Sequence, residues 1–229
     1  MPTQMQKYLY KANAVALRGS IRKPYFQELG DHLAISTYAG SSGRIECRSE
    51  RFALEEEVRY EAARTEIVAS EKDGVYTTSL TAQIFGLQVA KRLTVEEVTC
   101  RLQSVYDSRL YPQDSYPRIL PIGSTIRNLR IDGEVQRLEF PRAFDPDPRP
   151  ADAGRQSELD GSLQPGFFPE PIYVQGFGTI YYAEWTWVHP QEKHQQRLTM
   201  LRLALGSDTG AAICGGIGSS DGTGWPPTS

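Results

Sequence analysis

The sequence predicts an all-β fold, a mostly antiparallel β-sandwich or barrel of about ten or more strands. Tyrosine is the most frequent aromatic residue, with twelve copies. The 20 glycines and 15 prolines favour many strands and turns over a bundle of helices. The third observation is the segment 171–207, which is rich in aromatic and β-branched residues and holds two of the three tryptophans.

This segment predicts two long strands, 179–188 and 197–205, joined by a polar loop that contains Pro190. With Val188 opposite Arg197, apolar side chains fall on both faces of the hairpin, and a shift of register does not remove them. A sheet with one wet face alternates between apolar and polar residues. We therefore expect both faces to be covered by a second sheet, a barrel interior, a ligand or another subunit.

Earlier in the chain, strands are predicted at 8–21, 32–38 and 44–52. Residues 53–69 fit two patterns. Leu54, Val58 and Ala62 keep helical spacing, whereas Val58, Tyr60 and Ala62 alternate as in a strand. The strands on either side favour a strand here.

Further strands are predicted at 75–84, 87–90 and 95–106, after an Asp-Gly turn at 73–74. Residues 126–140 predict a tight hairpin, because Asp132-Gly133 is the dipeptide that a type I′ turn prefers.

The chain is predicted to be a single β domain over residues 1–229 with two irregular parts. One is a loop rich in proline and acidic residues at 141–171, and the other is a Gly/Ser-rich tail at 208–229. The tail carries three apolar anchors that are candidates for a subunit interface: Ile213, Ile217 and Trp225. We expect removal of residues 210–229 to reduce assembly and retain the fold.

Charge and segment composition limit the classes of partner. A net charge of -3 without a Lys/Arg run argues against nucleic acid. Residues 1–11 lack the basic start and apolar core of a secretory signal, and no apolar run approaches the roughly 18 residues of a membrane span. The chain is predicted to be cytoplasmic, without a membrane partner; export after removal of a leader stays open. Cys47, Cys100 and Cys214 are odd in number and far apart, which favours reduced thiols over a disulfide framework.

Three motifs resemble ligand sites and are discounted. His189 and His194 flank Glu192 but lack a third ligand, so loop histidines exposed to solvent are favoured. Prolines interrupt the acidic residues of 145–152, unlike a calcium loop. The glycines of 215–224 are not followed by a helix, as a phosphate-binding loop would be. No metal and no cofactor is predicted.

Glu184 is the candidate general acid or base, because burial in the middle of a strand would raise its pKa. The favoured alternative is a carboxylate paired with an arginine or exposed at an edge. Aromatic side chains around it could stack on a sugar or a flat apolar ligand, although aromatics at strand spacing are more often core. The ligand-binding candidates are Tyr181, Tyr182, Glu184, Trp185 and Trp187.

Four segments carry a resemblance: GSTIRNLRIDG at 123–133, GFGTIYYAE at 176–184, RLTMLRLALGS at 197–207, and the ending GTGWP. They resemble an uncharacterised group of bacterial all-β proteins, distantly like the β-domains called choice-of-anchor proteins. The resemblance covers the C-terminal half and implies a β architecture. It implies no activity and no functional residue.

Two functions follow as hypotheses. The first is a non-enzymatic structural or self-assembling β-protein that forms a homo-oligomer. The alternative is a small-molecule-binding barrel, including an enzyme of the cyclase or isomerase kind that uses Glu184.

Overall fold

The structure is a computed structural model that describes residues 10–21, 27–29, 34–40, 42–107, 109, 117–145, 165–189, 192–206 and 212–221. The strands in chain order are β1 (Tyr10–Ile21), β2 (Gln27–Leu29), β3 (Ile35–Gly40), β4 (Gly43–Leu54), β5 (Val58–Lys72), β6 (Val75–Val89), β7 (Leu93–Asp107), β8 (Arg118–Leu120), β9 (Thr125–Arg127), β10 (Arg130–Ile131), β11 (Glu134–Val135), β12 (Ile172–Val174), β13 (Gly178–His189), β14 (Glu192–Leu205) and β15 (Ala212–Asp221). A 3-10 helix covers Arg142–Phe144.

The strands form two antiparallel sheets packed face to face. Sheet A has the order β12-β13-β14-β15-β1, and β2 and β3 share the far side of β1. Sheet B has the order β4-β5-β6-β7, and β8, β9 and β10 share the far side of β7, with β11 beyond β10. The all-β prediction is confirmed as a sandwich. The barrel alternative is not, because β4 and β12 have no closing partner strand among the described residues.

The central hairpin β13–β14 is confirmed, but its register differs from the prediction. Arg197 lies opposite Thr186 instead of Val188, and Trp185 lies opposite Leu198. An irregularity between Trp187 and His189 shifts the pairing near the loop. Both strands also extend beyond their predicted limits towards the loop.

Apolar residues occur at both odd and even positions of this hairpin. The reason is that the alternation of core-facing and outward-facing residues reverses within each strand. In β13, Ile180 and Tyr182 face the core, and then Ala183 and Trp185 do, with Ala183 at φ 51°. The same reversal crosses the neighbouring strands of sheet A at Met200-Leu201, Gly215-Gly216 and Ala16-Leu17. One face is therefore buried, and the prediction that both faces need a cover is wrong.

Sheet B bends at a matching place. Two successive residues face away from the core in each of its four long strands: Glu50-Arg51, Glu61-Ala62, Phe85-Gly86 and Glu96-Glu97. Gly86 adopts φ 63° at this bend. The two bends meet through the core, because a Cβ on Gly216 would lie 3.0 Å from Val98 Cγ1. The sheets thus curve together and keep close contact across the interior.

Residues 212–221 are not a tail. They form β15, which lies in the middle of sheet A between β14 and β1. Its glycines face sheet B, where side chains of Leu80, Ile84 and Val98 fill the space that a Cβ would occupy. Glycine has a low strand propensity, so propensity alone would not predict a strand at 212–221. The packing against sheet B overrides this low propensity.

The predicted interface residues of the tail lie in different places. Ile213 is 1% exposed and belongs to the core, so it is not available to a partner subunit. Ile217 is half-buried. Trp225 lies outside the described residues.

Most of the remaining strand predictions are confirmed with changed limits. Residues 53–69 contain the end of β4, a turn and the start of β5, so the helix alternative is wrong. The two strands predicted at 75–84 and 87–90 are the single strand β6, bent at Gly86. Asp132 and Gly133 have φ 52° and 87° and form the predicted type I′ turn, although β10 and β11 have only two residues each.

The loop predicted at 141–171 is described only in part. Residues 146–164 lie outside the described ranges. Before them, Phe144 is buried at the end of the 3-10 helix, and after them Phe167 forms a β-bridge with Trp185. Among the described residues there is no helix of the length and apolar composition needed to span a bilayer.

Truncation after Thr209 is expected to abolish the fold, contrary to the sequence-based expectation, because it removes the strand that joins β14 to β1. Truncation after Asp221 retains every described strand and is the matched control. Circular dichroism and cooperative urea unfolding would measure the difference. A native-like unfolding transition in the chain 1–209 would contradict the central position of β15.

The variant Gly216→Val is expected to lower the free energy of unfolding by about 2–4 kcal/mol. A β-branched residue is strained at φ 62°, and its side chain would press on Val98, Met200 and Cys100. At Gly206 a Cβ would meet only Phe177 O, at 3.6 Å. Gly206→Ala is therefore the control and should change stability by less than about 0.5 kcal/mol. Equal effects of the two variants in urea denaturation would contradict the close packing.

Candidate functional site

The five predicted ligand-binding residues do not form one surface. Trp185 is 2% exposed, and its Nε1 donates a hydrogen bond to Gln196 Oε1 at 3.0 Å inside the core. Tyr182 is also buried and packs edge-on against Phe140. Trp187 is half-buried. Tyr182 and Trp185 are therefore core residues and cannot act as an exposed stacking platform.

Glu184 lies on the outer face of sheet A and is paired with an arginine. Arg202 donates from Nε and Nη2 to the two carboxylate oxygens at 2.7 and 2.6 Å. The same guanidinium lies 3.6 Å from the centre of the Tyr181 ring. Both oxygens of Glu184 are engaged, so the geometry favours the structural alternative over a general acid or base.

The described side chains offer no group of three His, Cys, Asp or Glu residues that could hold a metal ion. The side chains of His189, Glu192 and His194 lie outside this description. Cys47 and Cys100 are free thiols, as predicted. Burial raises the pKa of the Cys100 thiol, so this sulfur stays protonated.

A groove of about 430 Å³ lies at one end of the sandwich, beside the β12–β13 turn, the end of β14 and the β6–β7 turn. Arg92 lines it and donates to both oxygens of Asp132, at 2.8 and 2.6 Å, and to Gln175 O at 3.2 Å. Hydrogen bonding between the two side chains lowers the pKa of Asp132 and raises that of Arg92. Tyr173, 75% exposed, also lines the groove.

The second exposed feature is the free edge of sheet B. The strand β4 has twelve residues, pairs with β5 on one side, and has no strand on its other side among the described residues. It contains no proline. A long edge strand of this kind is a template for pairing with another chain unless its sequence prevents it.

Charged side chains of alternating sign project from the outer face of this edge. They are Arg44, Glu46, Arg48 and Glu50, at every second position. Arg44 and Arg48 are 62% and 70% exposed, and both form ion pairs with Glu46. A hydrogen bond from Arg48 lowers the pKa of Glu46, which stays ionised at neutral pH. An edge strand with charges of one sign would repel a second copy of itself. The edge of β4 carries charges of both signs, so it does not.

The opposite face of β4 is less polar. Ile45 is 37% exposed, and Cys47 is half-buried against the core. The free edge therefore combines a charged face with a partly exposed apolar face, which together offer the contacts that a paired strand needs.

A polar network crosses the outer face of sheet B. Thr99 Oγ1 and Gln83 Nε2 donate to Glu97 Oε1 at 2.7 and 3.0 Å, and Arg127 Nη1 donates to Oε2 at 3.0 Å. Partial burial raises the pKa of Glu97, but the hydrogen bonds from Thr99, Arg127 and Gln83 outweigh it and lower the pKa below its ordinary 4.5. The network joins β6, β7 and β9 and serves the structure of the sheet.

Comparison with known families identifies one match. Residues 8–166, more than half of the chain, match the family described as Domain of unknown function (DUF8256). The chain belongs to this family. The matched region contains all of sheet B and β1–β3, while β12–β15 follow it. The description of the family names no activity, and the resemblance to choice-of-anchor domains stays a prediction.

No curated protein and no solved structure matches the chain.

Sequence reasoning missed both exposed features. The alternation of charge at 44–50 was visible in the sequence, but the position of β4 at the edge of a sheet was not. Arg92 and Asp132 are separated by 40 positions, and no motif links them. Only the approach of β10 to β7 brings them together.

The variant Glu97→Gln is expected to have a lower free energy of unfolding at neutral pH. Its free energy of unfolding should also fall less than that of the wild type when the pH is lowered. Because the pKa of Glu97 is lower in the folded than in the unfolded chain, its contribution is present above the ordinary pKa of 4.5 and disappears as pH falls through the lower folded value. Urea unfolding of both proteins at neutral pH and at about pH 3 measures this. An equal difference between the two proteins at both pH values would contradict it.

Proposed function

We propose that this protein is a non-enzymatic structural β-sandwich that assembles with copies of itself. The observation that carries the proposal is the free edge of β4, which is long, free of proline and alternating in charge. Strand addition at such an edge supplies main-chain hydrogen bonds and side-chain pairs together. Cytoplasmic location stays part of the proposal, on the composition of the sequence alone.

The non-enzymatic part of the proposal is supported by what the predicted catalytic residue does. Glu184 is held by two nitrogen donors of a stacked arginine, and Tyr182 and Trp185 beside it fill the core. Arrangements of this kind stabilise a sheet and present no free acid or base to a substrate.

The second candidate is the binding of a small molecule in the end groove. The volume of the groove, about 430 Å³, lies within the range of about 300–1,000 Å³ that ligand pockets have. The exposed ring of Tyr173 and the anchored guanidinium of Arg92 would suit a sugar or a small planar molecule.

Purified protein is expected to have a solution mass of at least twice that of one chain at micromolar concentration, measured by light scattering. Native mass spectrometry of the same sample separates the two candidates. A monomer would contradict self-assembly. A monomer that carries extra mass, lost on denaturation, would support the groove, and the identity of that mass would give the ligand.

A further inference from the structure

We infer that two copies of this chain pair through β4 in antiparallel orientation, with a two-fold axis at Cys47. This inference rests on the proposed self-assembly and specifies its partner, strand and register. In this register Arg44 lies opposite Glu50 of the partner subunit, and Glu46 lies opposite Arg48 of the partner subunit. The two-fold axis repeats both pairs, so each of these four charges meets one of opposite sign.

Symmetry excludes the main alternative orientation. A two-fold axis that runs along two parallel edge strands turns one copy over, so Arg44 would lie level with Arg44 of the partner subunit but on the opposite face of the sheet. Side chains that lie level with each other in a regular strand pair point to the same face, so this symmetry does not build a parallel pair. The antiparallel arrangement is the closed, two-fold one that this charge pattern fits.

Neighbouring antiparallel registers are also less complementary. An axis at Ile45 pairs Arg44 with Glu46 but places Arg48 opposite Ser42. An axis at Ser49 pairs Arg48 with Glu50 but places Glu46 opposite Phe52. The axis at Cys47 alone gives all four charged residues an opposite partner.

The axis brings two thiols together on the other face. Residues directly opposite in an antiparallel pair have Cα atoms about 4.5–5.5 Å apart. A disulfide spans about 4.4–6.8 Å between Cα atoms. Cys47 is a free, half-buried thiol, so it reports the register directly.

Charge exchange between two variants tests the register. Arg48→Glu alone and Glu46→Arg alone each create like-charged pairs, and each should weaken self-association at least about tenfold. An equal mixture of the two variants should restore association as a mixed dimer, because each altered residue then meets an opposite charge. Sedimentation equilibrium of each variant and of the mixture measures this.

Arg59→Glu is the matched control, since Arg59 is exposed on β5, away from the free edge, and the change in charge equals that of Arg48→Glu. It should leave association unchanged. Circular dichroism of each variant confirms that the fold is intact.

Oxidation with diamide gives a second measurement. Two Cys47 thiols should lose two protons and two electrons to diamide and form one disulfide between subunits, visible on a non-reducing gel. Cys47→Ser should abolish this product.

The outcomes separate the two proposals. If the wild-type chain stays monomeric, self-assembly and this register both fall. If the wild type associates but the mixture of variants does not, or if the disulfide forms equally in Cys47→Ser, the register is overturned and self-assembly stands.

Discussion

The close contact between β15 and sheet B is the constraint on which the rest of the sandwich depends. Residues 215, 216 and 218 of β15 are glycines and have no side chains. The side chains of Leu80, Ile84 and Val98 therefore pack directly on the backbone of sheet A. That approach requires both sheets to bend at the same level, and each does so by reversing its alternation. Protein interiors contain few voids. If one sheet were flat and the other bent, a gap would remain between them.

The same constraint explains why two of the aromatic residues predicted to bind a ligand lie in the core. Because of the bend, even-numbered residues of β13 face the core before it and odd-numbered residues after it. Tyr182 and Trp185 therefore belong to a single core. An inter-sheet hydrogen bond between Ser36 and Thr65, 2.7 Å long, completes the closure near β3. Function is therefore expected at the rim, where the end groove and the free edge of β4 lie.

The region that matches the family is only part of the sandwich. The family match ends at residue 166, yet β1 pairs with β15, and β15 pairs with β14. The buried face of sheet B is covered by strands from both parts of the chain: β1 and β3 inside the matched region, and β14 and β15 after it. Sheet B supplies the charged edge, and its cover is complete only with the strands that follow the match.

The sequence by itself determined the all-β class, the strand character of most segments and the type I′ turn at Asp132-Gly133, because alternation and turn chemistry are local properties. For Glu184 it favoured a carboxylate paired with an arginine or exposed at an edge over a catalytic group, and the structure shows the arginine pair. Tertiary structure decided what depends on distant partners. The Gly-rich segment 212–221 became a central strand because Leu80, Ile84 and Val98 fill the space beside it. The alternating charges of β4 lie at the edge of sheet B because the order of the described strands places no strand beyond β4.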